Sequence, residues 1–131
     1  SQASDNRNTQ AHQAYEQALA FAQDLSSNTP SQQTLKIQTL QRTQATLHYN
    51  LGALHHVQQN PDAATAEYQA GLALLRSNEA DNLGHNITLE ASLLSGIGLL
   101  QEQRKDYQQA LKNLRQSANI LQAAAVEETT A

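Results

Sequence analysis

The chain contains no cysteine, no methionine, no tryptophan and a single phenylalanine in 131 residues. Without cysteine there is no disulfide framework, no thiolate metal site and no cysteine nucleophile, and nothing marks the redox compartment. Aromatics make up 4% of the chain, so the core cannot be built around large rings. The strand formers Val, Ile and Tyr are scarce, which argues against all-β and α/β folds. No apolar run approaches the roughly 18 residues needed to span a bilayer, and no signal-peptide pattern is visible. The absence of Met, position 1 included, reads as an excised domain or processed product, whose targeting signal would have gone with the missing portion. Compartment is therefore left open. Cations are few as well. A net charge of −4 and the lack of any Lys/Arg cluster argue against nonspecific nucleic-acid binding.

What the chain has is Leu, Ala and Gln. Its length is that of one domain with a real core, and Leu with Ala suits helices packed closely through small side chains. Nineteen glutamines carry solubility through neutral polar groups rather than charge.

Punctuation and period give five helices. Ala11, Ala14, Tyr15, Ala18, Leu19 and Ala22 recur at helical spacing in the first. "SSNTPSQQ" ends it, with Thr29 as N-cap, Pro30 at the first helical position and Gln32 completing a capping box. The second helix runs from about Pro30 to Gln58, with Leu40, Leu47, Leu51 and Leu54 on its apolar side and a possible break near Thr43. Asn60-Pro61 opens a third, through roughly Ser77. "SNEADNLGH" reads as a loop or frayed end. A fourth helix spans about Asn86 to Gln103. Asp106 caps a fifth, with Gln109 three residues on, which continues to about Ala125. The expectation is an all-α domain over residues 11–125, between a flexible segment 1–10 and a loose tail 126–131.

Two glycines, Gly52 and Gly71, interrupt apolar helical runs, where each costs about 1 kcal/mol against alanine. Something must pack there too closely for a side chain. The pattern around them recurs. Ala11-x3-Tyr15-x2-Ala18 aligns with Ala64-x3-Tyr68-x2-Gly71 and with Ala110-x3-Leu114-x2-Ser117. Leu51-Gly52 likewise aligns with Ile97-Gly98, each glycine lying twelve residues before its alanine. These thirteen positions, Ala11, Tyr15, Ala18, Leu51, Gly52, Ala64, Tyr68, Gly71, Ile97, Gly98, Ala110, Leu114 and Ser117, are the expected repeat-packing residues.

"NLGALHHVQQNPDAATAEYQAGL" and "GIGLLQEQRKDYQQALKNLRQSA" resemble the tetratricopeptide repeat, a helix–turn–helix unit. The resemblance implies units at about 45–78 and 91–124 and a half unit at 11–26, stacked as antiparallel pairs in a right-handed superhelical array. It has departures. The bulky aromatic near the start of the family's unit is replaced by His48 and Leu94, and the copies lie 46 and 53 residues apart against about 34 in the standard unit. That is similar to the longer-helix variants of scaffold and regulatory proteins.

Candidate chemistry is thin. His55 and His56 are adjacent and so point to different sides of a helix. His48 and His55 lie about two turns apart, roughly 10 Å, too far for one ion. No carboxylate joins either at a spacing of three or four. The chain resembles the phosphotransfer bundles poorly, because the Lys and Gly that follow their reactive histidine are missing. Asp62 and Asp106 sit at helix N-termini, where negative charge is favourable without any chemistry. Gly96-Ile97-Gly98 lies within a helix and follows no strand, so it is no nucleotide signature. Asn86-Ile87-Thr88 fits the N-glycosylation sequon, a pattern informative only in a secretory setting. The expectation is a protein with no enzymatic role, no cofactor and no metal.

Carried over residue by residue, the resemblance implies a concave groove at Thr46, Tyr49, Asn50, Ala53 and His56, and at Ser92, Ser95, Leu99 and Gln103. Asn50 matches the family's clamp for a C-terminal carboxylate, but Ser92 and Gly96 stand where its cations belong. The implied partner is instead a protein or peptide held by hydrogen bonds and packing, with no nucleic acid and no membrane insertion. The alternative is self-assembly. The fifth helix carries Leu111, Leu114, Ile120 and Leu121, too many for one buried stripe, and open ends favour association. A ligand-carrying bundle is a third reading, for which no polar constellation speaks.

Overall fold

The computed structural model describes residues 2–77 and 86–130, with side chains described to Val126. It is all-helical. The elements are α1 (Gln2–Ser27), α2 (Pro30–Val57), α3 (Pro61–Arg76), α4 (Ile87–Gln103) and α5 (Tyr107–Thr130). α2 is continuous, with no break at Thr43. α1 begins at Gln2 rather than near Ala11, and α5 runs on to Thr130 rather than ending near Ala125. Both extensions lack Pro and Gly, so nothing stops the helix. The loop expected at Ser77–His85 lies outside the described residues except for Ser77.

Where the sequence pointed to one domain over residues 11–125, contacts divide the chain into two units, Ser1–Thr39 and Leu40–Ala131. In the first, α1 buries no residue. Ala11, Tyr15 and Ala18, expected to pack as a half repeat, are exposed, Tyr15 at 63%. The turn into α2 is well made. The Thr29 amide donates to Gln32 Oε1 (2.9 Å) and the Gln32 amide to Thr29 Oγ1 (3.3 Å), a reciprocal capping box. Lys36 pairs with Asp24, and the Gln33 side chain donates to the Leu25 carbonyl (2.7 Å).

The second unit holds the core: Ala45, Ala64, Tyr68, Leu72, Leu75, Leu93, Leu94, Ile97 and Leu100. Leu93, Leu94 and Leu100 are its largest fully buried side chains, each contributing about 1.5–3 kcal/mol by burial. Here the two sequence copies make the same local structure 46 residues apart. Gln59 (φ 61°) and Lys105 (φ 65°) are both left-handed. The amides of the next residues follow suit: Asn60 donates to the His55 carbonyl and Asp106 to the Gln101 carbonyl, both at 2.9 Å. Gln59 donates to the His56 carbonyl (3.0 Å) and Lys105 to that of Glu102 (2.9 Å). These are two Schellman turns without the usual glycine. Pro61, whose missing amide costs nothing at the first turn, restarts the chain as α3; the Asn60 side chain makes no cap bond.

The glycines repeat too. A Cβ on Gly52 would stand 2.5 Å from Tyr68 Cε1, and one on Gly98 2.8 Å from Leu114 Cγ. Real Cβ atoms do not sit so close, which is why these helices carry glycine. Gly71 and Ser117 are the third equivalent pair. A Cβ on Gly71 would lie 3.2 Å from the Ala45 carbonyl oxygen; Ser117 Oγ donates to the equivalent carbonyl, Ala91, at 2.8 Å. Leu51 alone among the second unit's expected packing residues departs clearly. It is 44% exposed, whereas its counterpart Ile97 is buried.

Candidate functional site

α2 meets α3 antiparallel, with Gly52 against Tyr68 and His48 hydrogen-bonded through Nδ1 to Glu67 Oε2 (2.6 Å). α4 meets α5 in the same way, with Gly98 against Leu114 and Ser95 against Ser117. Between α2 and α4, above the ring of Tyr68, lies a cleft of about 350 Å³. Tyr49 and His56 line it from α2, and Thr88, Ser92, Ser95 and Leu99 from α4. Leu121 and the buried Ser117 reach it from α5. Among the described residues, no Lys, Arg, Asp or Glu lines it.

The floor is fixed by close packing. Tyr68 is 3% exposed, and opposite edges of its ring meet Gly52 and Gly96. Its ring centroid lies 5.8 Å from that of Tyr49, at an interplanar angle of 35°. Burial, with Tyr49 alongside, pushes the Tyr68 phenol above its ordinary range, because the phenolate would lose its hydration.

The Ser95–Ser117 pair (2.8 Å) sets the polarity of one wall. Ser117 has one proton and gives it to the Ala91 carbonyl, so Ser95 donates to Ser117. Ser95 is left with lone pairs toward the cleft and acts there as an acceptor. At the far end His56 Nε2 accepts from the Gln103 amide (3.0 Å), and this pair also borders a second cleft of about 330 Å³ with Gln59, Pro61 and Arg104. Arg104 is engaged by Asp62.

Of the groove residues expected from sequence, Tyr49, His56, Ser92, Ser95 and Leu99 come together in the first cleft, and Gln103 lines the second. Thr46, Asn50 and Ala53 line neither; the Thr46 hydroxyl donates to the Arg42 carbonyl one turn back (3.0 Å). Sequence reasoning missed Tyr68, Ser117 and Leu121 as cleft residues: it gave the first two a packing role and Leu121 a place in self-assembly. Their signal was present, since Tyr68 and Ser117 lie at positions where a small or close-packed residue lets two helices approach. It also missed the carboxylate beside His48, because Glu67 arrives from another helix.

No group of three or more His, Asp or Glu side chains that could hold a metal ion occurs among the described residues. No helix among them is long and apolar enough to cross a membrane. What the first cleft can do is hydrogen-bond and bury. Hydroxyls and an imidazole stand over an apolar floor, matched to uncharged donors and acceptors spaced along a chain. The sequence matches no known protein family, no curated protein and no solved structure.

Proposed function

We propose that this chain is a non-enzymatic protein-interaction module of tetratricopeptide-like design, a scaffold or adaptor that takes a peptide or partner segment in the cleft between α2 and α4. The repeated glycine contacts and repeated Schellman turns support helix pairs stacked in a right-handed array, in which α2 and α4 face the concave side. One observation carries the functional reading: the cleft is walled by equivalent helices of two copies, has no Lys, Arg, Asp or Glu among its described lining residues, and sets hydroxyls over Leu99 and Leu121. Such a lining recognises backbone amides and neutral side chains rather than phosphate or carboxylate groups. Among its described residues nothing pairs a nucleophile with a base oriented by a third group, as covalent catalysis requires.

The test is selection from a displayed peptide library, followed by titration of the enriched peptides. Neutral sequences should bind the wild type and lose at least tenfold in affinity to Ser92→Arg, which fills the cleft from a half-buried position outside the core. Enrichment of polyanionic or polycationic peptides, or binding indifferent to Ser92→Arg, would remove the cleft from consideration.

A further inference from the structure

The 46-residue offset that carries α2 onto α4 and α3 onto α5 also says what belongs on the two outer faces of the second unit. Inside it, α3 packs antiparallel on α4. Tyr68 meets Gly96, Leu93 meets Gly71, and Leu72, Leu75, Leu93, Ile97 and Leu100 share one core. Leu93, Ile97 and Leu100 are 0%, 5% and 1% exposed. Moved back one repeat they become Leu47, Leu51 and Leu54 on α2, which are 56%, 44% and 51% exposed. The same apolar stripe is present and uncovered.

The complementary stripe is at the other end. Moved forward one repeat, Leu72 and Leu75 of α3 become Ala118 and Leu121 of α5, both exposed. Leu111 lies two turns before Ala118 on the same helical face and is 49% exposed. α2 thus carries the surface that α4 offers to α3, and α5 carries the surface that α3 offers to α4.

Charge fits the same reading. Two ion pairs cross from α3 to α4, Arg76 with Glu90 (3.7 Å) and Asp62 with Arg104. Their counterparts on the open faces are Gln122 with Gln44 and Gln108 with Gln58. Each pair of opposite charges becomes a pair of side-chain amides, able to hydrogen-bond to each other with nothing to repel or desolvate.

We propose that the Leu47–Leu51–Leu54 face of α2 and the Leu111–Ala118–Leu121 face of α5 are two halves of one interface, through which a second copy of this chain docks its α5 on α2 as α3 docks on α4. Two different patches meet, so the contact is heterologous and adds copies head to tail. One helix-on-helix contact lies at the small end of stable interfaces, so assembly is concentration-dependent.

The experiment is light scattering of the whole chain from about 10 µM to about 1 mM, a span suited to an interface of this size. The mass should climb from 14.3 kDa toward its multiples. Leu51→Glu and Leu111→Glu should each stay monomeric with unchanged helicity. Each variant keeps the face that the other has lost, so their equimolar mixture should form a dimer and nothing larger. Should a glutamate variant lose helicity, Leu51→Gln and Leu111→Gln replace the pair and read the same way. A wild type fixed at 14.3 kDa overturns the proposal. So does a mixture that remains monomeric. Assembly abolished by Leu51→Glu but untouched by Leu111→Glu also overturns it, since that is the behaviour of a symmetric α2–α2 dimer.

Discussion

The ring of Tyr68 occupies the space that a side chain on Gly96 would need: a Cβ there would stand 2.8 Å from Cε2 and 2.9 Å from Cζ. Gly52 meets the opposite edge of the same ring, so the tyrosine cannot yield edgewise to either side. Gly96→Ala gains about 1 kcal/mol of helix propensity and meets an overpacking cost of about 1–3 kcal/mol, at its upper end here because the ring is held on both sides. The expected outcome is a net loss of about 1–2 kcal/mol in urea unfolding, with a lowered midpoint and an unchanged slope. A stabilised Gly96→Ala would mean that the ring can shift, and the cleft floor would not be rigid.

Gln59 and Lys105 hold left-handed backbone that glycine adopts without strain. Gln59→Gly and Lys105→Gly should each raise stability by about 0.5–1 kcal/mol, seen as an increase in Tm. The two turns share their hydrogen-bond pattern, so the two gains should be similar. A loss at either position would show that the native side chain makes a contact worth more than the strain.

Burial raises the folded-state pKa of Tyr68, with Tyr49 adding to it. The fold therefore favours the neutral phenol. That stability is fully present below the unfolded value of about 10 and drains away as pH rises from there through the folded value. Tyr68→Phe keeps the ring and removes the proton. Above about pH 10 the wild type should lose stability faster than Tyr68→Phe. Parallel curves would place the phenol in water.

Ser117 is buried and bonds both Ala91 and Ser95. Ser117→Ala should cost about 1 kcal/mol, the worth of an ordinary hydrogen bond. It also frees the Ser95 proton to turn into the cleft. A peptide bound there through an acceptor should then gain affinity while the protein loses stability. Binding and stability falling together would show that Ser117 only supports the wall.

Much of this fold is legible in the sequence alone. Thr29, Pro30 and Gln32 announced the start of α2, because a capping box depends on neighbours in the chain. The interruptions at Gly52 and Gly71 announced close approach, because glycine inside a helix has a cost that only a tight contact offsets. The exposed α1 could not be read in the same way. Ala11, Tyr15 and Ala18 fit the packing pattern, but a pattern lists what a helix can bury and not whether anything covers it.

The sequence by itself determined the all-helical state, the starts of α2 to α5 and the 46-residue internal equivalence, all of which rest on interactions within a few turns or on side-chain size. Tertiary structure decided the rest. It brought Glu67 to His48, set Tyr68 between two glycines, spent the Ser117 proton on Ala91, and buried Ile97 while leaving Leu51 exposed. Each of those outcomes depends on which helix arrives at a given face, and local spacing carries no record of that.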